Sequence, residues 1–163
     1  MSKIDYMYDY YPESISEVTD EQRRIRERVQ GFMSGDADPE FVYEIVSRVK
    51  GLVNANQIDV ICFAPGTTGA KTILRYGELA EILDKEIDCD VFLDAVTLKF
   101  DADPITHTRF YQCNKERVKG KNVLVIGGVY TTGESMREIN LLLSQNQASN
   151  VYGLFIAKTH SIE

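Results

Sequence analysis

Residues 121–147 read KNVLVIGGVYTTGESMREINLLLSQNQ, and this stretch decides the fold. The apolar run from Val123 to Ile126, bounded by Asn122 and by Gly127-Gly128, has the β-branched and leucine content of a strand buried on both faces. A strand of that kind belongs at the centre of a parallel sheet. After a short Thr/Gly/Ser loop, Met136, Ile139, Leu142 and Leu143 recur at helical spacing, which predicts a helix packing back onto the sheet. Thr132 or Ser135 is its candidate cap.

A strand that delivers a small-residue loop to a helix N-terminus creates an anion site. The first helical N–H groups have no intrahelical partner, and the helix dipole adds positive potential. Gly133 allows close backbone approach, and Thr131, Thr132 and Ser135 add hydroxyl donors that suit the oxygens of a phosphate monoester. An ordinary β-to-α turn with capping residues has the same local pattern.

The residue order resembles the signature of the type I phosphoribosyltransferases. That signature is four apolar residues, two acids, an apolar residue, two further residues, Thr-Gly, one residue and Ser or Thr. Here VLVI is followed by Gly127-Gly128 and then by Val129-Tyr130-Thr131-Thr132-Gly133-Glu134-Ser135. The resemblance implies that Tyr130, Thr131, Thr132, Gly133, Glu134 and Ser135 form a loop cradling the 5-phosphate of phosphoribosyl pyrophosphate. The family's two acids hold the ribose hydroxyls and help organise magnesium, and glycines do neither, so no catalytic residue is assigned. Hydrogen bonds to charged groups are worth roughly 1.5–3 kcal/mol each, so losing two costs about 3–6 kcal/mol, on the order of a hundred- to ten-thousandfold in affinity. The expectation is a degraded or repurposed site, with glycines that permit positive φ and open space at the strand end.

The 163 residues predict a single domain, 1–163, with an N-terminal arm and helices over 1–57 and a core over 58–157. Hydrophobic residues at 44% and charged ones at 26% are ordinary for a globular protein, and no apolar run approaches the roughly 20 residues of a membrane span. The opening MSKIDYMYDYYPES has no apolar signal-peptide core, so a cytoplasmic location is expected. A net charge of −7 and a pI near 4.9 argue against non-specific nucleic-acid binding. Arg23, Arg24, Arg26 and Arg28 are interleaved with Asp20, Glu21 and Glu27, as on a solvated helical face. Cys62, Cys89 and Cys113 are widely spaced, without zinc-site spacing, and read as free thiols with no metal bound.

Tyr6, Tyr8, Tyr10 and Tyr11 mark a segment to about residue 18 that can pack as an arm on the domain or on a partner subunit, so a homodimer is possible. Thr19 or Asp20 then caps a helix to about Met33, with Ile25, Val29 and Phe32 on one side. Asp38 and Pro39 open a second helix, whose Phe41, Val42, Ile45, Val46, Val49 and Val53 form a wide apolar stripe. Residues 58–63 are the expected first strand of the sheet.

The following APGTTGAKT brushes against the phosphate loop of nucleoside-triphosphate hydrolases. Lys71 and Thr72 fit that pattern, with Asp94 as a magnesium acid, whereas Ala70 and Pro65 stand where glycines belong. The resemblance to phosphoribosyltransferases implies instead a pyrophosphate loop at Pro65, Gly66, Thr67 and Thr68, with Lys71 and Arg75 as cations. Arg75-Tyr76 followed by Leu79-Ala80 resembles the competence-protein branch of that family. Exposed helix charge is the alternative for both cations.

Residues 89–93 read as a second strand. The polar interval 95–119 corresponds in the family to a mobile hood or hairpin, which gives His107 and Arg109 a chance to face the pocket. Residues 151–157 read as a final strand, and 158–163 as a short mobile tail. The alternation predicts an α/β fold, a parallel sheet flanked by helices, type I phosphoribosyltransferase-like, with additional N-terminal helices. The implied ligand is a small phosphorylated molecule: phosphoribosyl pyrophosphate, ribose phosphate or a nucleotide, with magnesium only if transfer persists. A non-catalytic sensor and a partner-binding domain are the competing expectations.

Overall fold

A computed structural model describes residues 3–160. In chain order the elements are β1 (Lys3–Tyr10), α1 (Asp20–Met33), α2 (Pro39–Asn56), β2 (Val60–Phe63), α3 (Gly69–Glu86), β3 (Asp90–Val91), β4 (Val96–Phe100), β5 (Phe110–Cys113), α4 (Lys115–Val118), β6 (Asn122–Tyr130), α5 (Glu134–Gln145) and β7 (Asn150–Thr159). Five strands form a parallel sheet in the order β1-β7-β6-β2-β3, and β4 and β5 form a separate antiparallel ribbon. The expected α/β architecture with helices against a parallel sheet is therefore present, with β6 at its centre.

Strand alternation builds the two faces. Ile61, Phe63, Leu124 and Ile126 pack with the apolar stripes of α1, α2 and α3, while Val60, Cys62, Val123 and Val125 pack with Met136, Ile139 and Leu143 of α5. All six stripe residues of α2 are buried, each worth about 1.5–3 kcal/mol when fully removed from water. Thr19 caps α1 in a capping box with Gln22, and Asp38 caps α2 ahead of Pro39.

Several boundaries differ from expectation. The tyrosine-rich arm is itself a strand: β1 pairs along β7 from Lys3 to Tyr10, so residues 58–63 contribute the second strand rather than the first. The strand at 89–93 shrinks to Asp90–Val91, which pair with Val60 and Ile61 of β2. β7 continues through Lys158 and Thr159, while residues 161–163 of the expected mobile tail lie outside the described residues, as do residues 1 and 2. β6 does not stop at the glycine pair but runs through it to Tyr130, still in register with β7. Among the described residues no helix is long and apolar enough to cross a membrane.

Between β2 and β6 the connections diverge. From β2 the chain crosses by α3 to β3 on one side, and from β6 by α5 to β7 on the other. The carboxyl ends of these two strands are the switch point where α/β sheets hold ligands. Both Gly/Thr-rich loops, 64–68 and 131–133, leave from there.

Candidate functional site

The 131–135 loop keeps three main-chain donors available, while the Thr131 hydroxyl is bonded to Thr159 Oγ1 at 3.0 Å. Gly133 is the N-cap of α5 with φ +81°, a left-handed conformation, in place of the expected Thr132 or Ser135 cap. Thr132 Oγ1 instead accepts the Glu134 amide at 3.3 Å, and the Gly133 carbonyl accepts the Arg137 amide at 3.0 Å. Among the described residues no acceptor is bonded to the amides of Thr132, Gly133 or Ser135. Arg137, which the sequence patterns did not single out, donates from Nη1 to the Thr132 carbonyl at 3.2 Å and places a cation beside the loop. Its signal was available as a basic residue one turn into the helix.

All six residues from Tyr130 to Ser135 line one wall of a cavity of about 370 Å³. The opposite wall comes from 106–109 and Tyr111, so His107 and Arg109 do reach the cavity. The interval 95–119 is the β4–β5 hairpin followed by α4. Its tip is shaped by Asp103, whose carboxylate accepts the amides of Ile105 at 2.8 Å and Thr106 at 2.9 Å. Those amides, Thr106 first, hold the Asp103 carboxyl below its usual range.

Gly127 and Gly128 have no positive φ, and the space beside them is not open, contrary to expectation. Gly127 stands opposite Phe155 in the ladder, and a Cβ on it would lie 2.2 Å from Phe155 Cε2. A Cβ on Gly128 would lie 2.3 Å from Met33 Sδ and 3.7 Å from Arg75 Nη1. The Phe155 ring is held edge-on by Tyr130 at 5.1 Å, and the Tyr130 hydroxyl rests on Gly133. A side chain at 127 would therefore force the Phe155 ring to shift. Phe155 and Met33 carry no local sequence signal, because only strand pairing and helix docking bring them there.

The 65–68 loop is arranged differently. The Gly66 amide donates to Thr72 Oγ1 at 2.9 Å, and that hydroxyl donates to the Thr68 carbonyl at 2.8 Å. The Gly66 carbonyl accepts Arg109 Nε at 3.2 Å, and the Thr67 carbonyl accepts the Ala102 amide at 2.9 Å. The hairpin is thus clamped onto this loop. Thr68 caps α3 by accepting the Lys71 amide, and the Lys71 side chain is exposed. Arg75 lies beside Gly66 and Gly128, its Nε donating to the Met33 carbonyl at 3.3 Å. None of Pro65, Gly66, Thr67, Thr68, Lys71 or Arg75 lines the 370 Å³ cavity, although Arg109, which does, also holds the Gly66 carbonyl. Thr72 has no free hydroxyl for a phosphate-loop role, and Asp94 pairs with Arg117 at 3.2 Å.

A magnesium site does not fit these residues. Phe155 and Met33 fill the space beside Gly127 and Gly128, and among the described residues no cluster of three His, Cys, Asp or Glu is placed to hold a metal. A second cleft opens across the Val129–Thr131 ridge, walled by Tyr10, Pro12, Gln30, Met33 and Thr159.

No family model and no curated protein matches the sequence. Solved structures do resemble the fold. An adenine phosphoribosyltransferase superposes with a TM-score of 0.51 at 16% identity, over 74% of this chain and 71% of that one. A purine phosphoribosyltransferase from Pyrococcus horikoshii Ot3 superposes with a TM-score of 0.50 at 15% identity, over 75% of this chain and 78% of that one. With a central β6, a glycine-turned loop at its carboxyl end and a hairpin over the crevice, the chain has the fold of the phosphoribosyltransferases.

Proposed function

We propose that the protein binds a phosphorylated ribose or a nucleotide through the 131–135 loop and carries out little or no phosphoribosyl transfer. The observation that carries this reading is the set of unbonded loop amides beside a strand end where Phe155 and Met33 crowd Gly127 and Gly128. The amides of Thr132, Gly133 and Ser135 are free to donate, and in the 65–68 loop the Gly66 amide is already donated to Thr72 Oγ1. A monophosphate finds main-chain donors, the helix dipole and nearby Arg137 at the first loop. At the second loop a pyrophosphate would find the Gly66 amide already engaged by Thr72.

Transfer would also require a ribose held by carboxylates, and Phe155 and Met33 occupy the room those side chains would need. What remains is recognition: the loop takes the phosphate, and the cleft beyond Val129, with the Tyr10 ring, Met33 and the Gln30 amide, offers an apolar seat with a polar edge for an aromatic base. This favours a nucleoside monophosphate over a bare sugar phosphate.

Calorimetry tests the proposal. Nucleoside monophosphates and ribose 5-phosphate are expected to bind without magnesium, and phosphoribosyl pyrophosphate to bind no more tightly when magnesium is added. Magnesium-dependent, tighter binding of phosphoribosyl pyrophosphate would reinstate an enzyme, and binding of none of these ligands would leave a partner-binding domain.

A further inference from the structure

β1 is the outermost strand of the sheet, and among the described residues no strand pairs with its free edge. Exposed edges are normally blunted by proline, bulges, short length or charged side chains, and of these β1 carries only the charges of Lys3, Asp5 and Asp9. KIDYMYDY has eight residues and no proline, and Ile4 and Tyr6 stay 38% and 39% exposed. On the α2 side the edge continues into a groove between Met7 and Tyr8 and the helix residues Glu44, Ser47 and Arg48, and a Cβ on Gly51 would meet nothing within 4 Å.

We propose that this edge joins a second copy of the chain, the two β1 strands pairing antiparallel about a two-fold axis so that two five-stranded sheets become one. Charge selects the register. Such an axis sets one residue opposite its own copy, and Asp5, Tyr6 and Met7 are the central choices. Centring on Asp5 opposes two carboxylates, and centring on Met7 opposes Asp5 to Asp9 twice. Centring on Tyr6 opposes Lys3 to Asp9 twice, Ile4 to Tyr8, and Tyr6 to itself. Opposite charges and aromatic pairs across strands stabilise, and like charges directly opposite destabilise.

The neighbouring helix arrives at the same axis independently. Asp5 pairs with Arg48 at 2.6 Å and the Tyr8 hydroxyl donates to Glu44 at 2.8 Å. Tyr6 therefore stands level with the turn that ends at Ser47. A two-fold axis through Tyr6 lays α2 antiparallel to its copy beside the seam. Glu44 of one copy then faces Arg48 of the other, and the small Ser47 and Gly51 let the helices approach.

Sedimentation of the full chain should show a dimer. Lys3→Asp should raise its dissociation constant about tenfold or more, and Lys3→Asp combined with Asp9→Lys should restore it. Tyr6→Cys, in a chain also carrying Cys89→Ser and Cys113→Ser, should cross-link to itself on mild oxidation, because residues opposite each other across strands lie within disulfide reach. If Lys3→Asp fails to fold, this cross-link decides. A monomer at every concentration overturns the proposal, as does a dimer indifferent to Lys3→Asp or one whose Tyr6→Cys variant stays unlinked on oxidation.

Discussion

Gly127→Ala adds a single methyl group at the position where the resemblance to phosphoribosyltransferases expects an acid. Its carbon would lie 2.2 Å from Cε2, 2.5 Å from Cδ2 and 2.9 Å from Cζ of Phe155. Comfortable carbon contacts are roughly 3.5–4.0 Å, so the ring must move by about an ångström or more. The ring is buried and braced by Tyr130, so little room exists for that movement. Overpacking of this kind costs about 1–3 kcal/mol, and for a chain of this size each 1 kcal/mol lowers Tm by roughly 2–4 °C. Phe155→Ala alone should cost about 3–5 kcal/mol through the cavity it leaves. In the double variant the new methyl occupies part of that cavity, so the combined loss should fall short of the sum by about 0.5–3 kcal/mol. Urea unfolding followed by circular dichroism measures all three. Additive losses, or a Gly127→Ala midpoint equal to that of the native chain, would refute the close approach of strand and ring. Gly127→Asp adds a charge at the same place, and it should destabilise further without creating magnesium-dependent binding of phosphoribosyl pyrophosphate.

Other outcomes follow from the same geometry. Gly133→Ala places a Cβ on a left-handed residue against the Tyr130 hydroxyl, and should abolish ribose 5-phosphate binding by calorimetry while costing about 1–3 kcal/mol of stability. Thr72→Val leaves the buried Gly66 amide without its acceptor and should cost about 1–3 kcal/mol in urea unfolding. Arg109→Met should release the hairpin clamp, seen as faster hydrogen exchange at the Ala102 amide. The Tyr8 phenol is pushed up to about 12, by burial first and then by its bond to Glu44. Because the folded value lies above the ordinary one near 10, its contribution is complete below that pH and is lost as the pH rises to about 12. Tyr8→Phe should flatten that part of the stability profile. The bond from Arg48 holds the Asp5 carboxyl below its usual range, so its contribution is present above the ordinary carboxylate pKa and is lost as the pH falls through the lowered one. Arg48→Met should return Asp5 to the ordinary range in an NMR titration.

The longer helices were legible because their signals are local. The Thr19 or Asp20 cap, Asp38 with Pro39, and the α2 stripe each declare themselves within a few residues. β2 and β6 were legible as apolar runs between glycine and polar boundaries. β1 was not, since its tyrosines and aspartates alternate as on an edge strand whose partner, β7, lies at the far end of the sequence. The extent of β6 was missed for a related reason: glycines weaken a strand unless a large neighbour fills their place, and Phe155 does so from across the ladder. At the site, the 131–135 loop is a contiguous motif and could be read directly. The closure of the 65–68 loop depends on Arg109 and Ala102 reaching it from the hairpin, which no spacing in the chain announces.

The most direct measurement is a titration of the ¹⁵N-labelled protein with ribose 5-phosphate, followed by amide chemical shifts. Saturable shifts at Thr132, Gly133 and Ser135, with Gly66 to Thr68 undisturbed, are the predicted result. Silent amides at 132–135, or shifts at Gly66 to Thr68 when phosphoribosyl pyrophosphate and magnesium are added together, would contradict it.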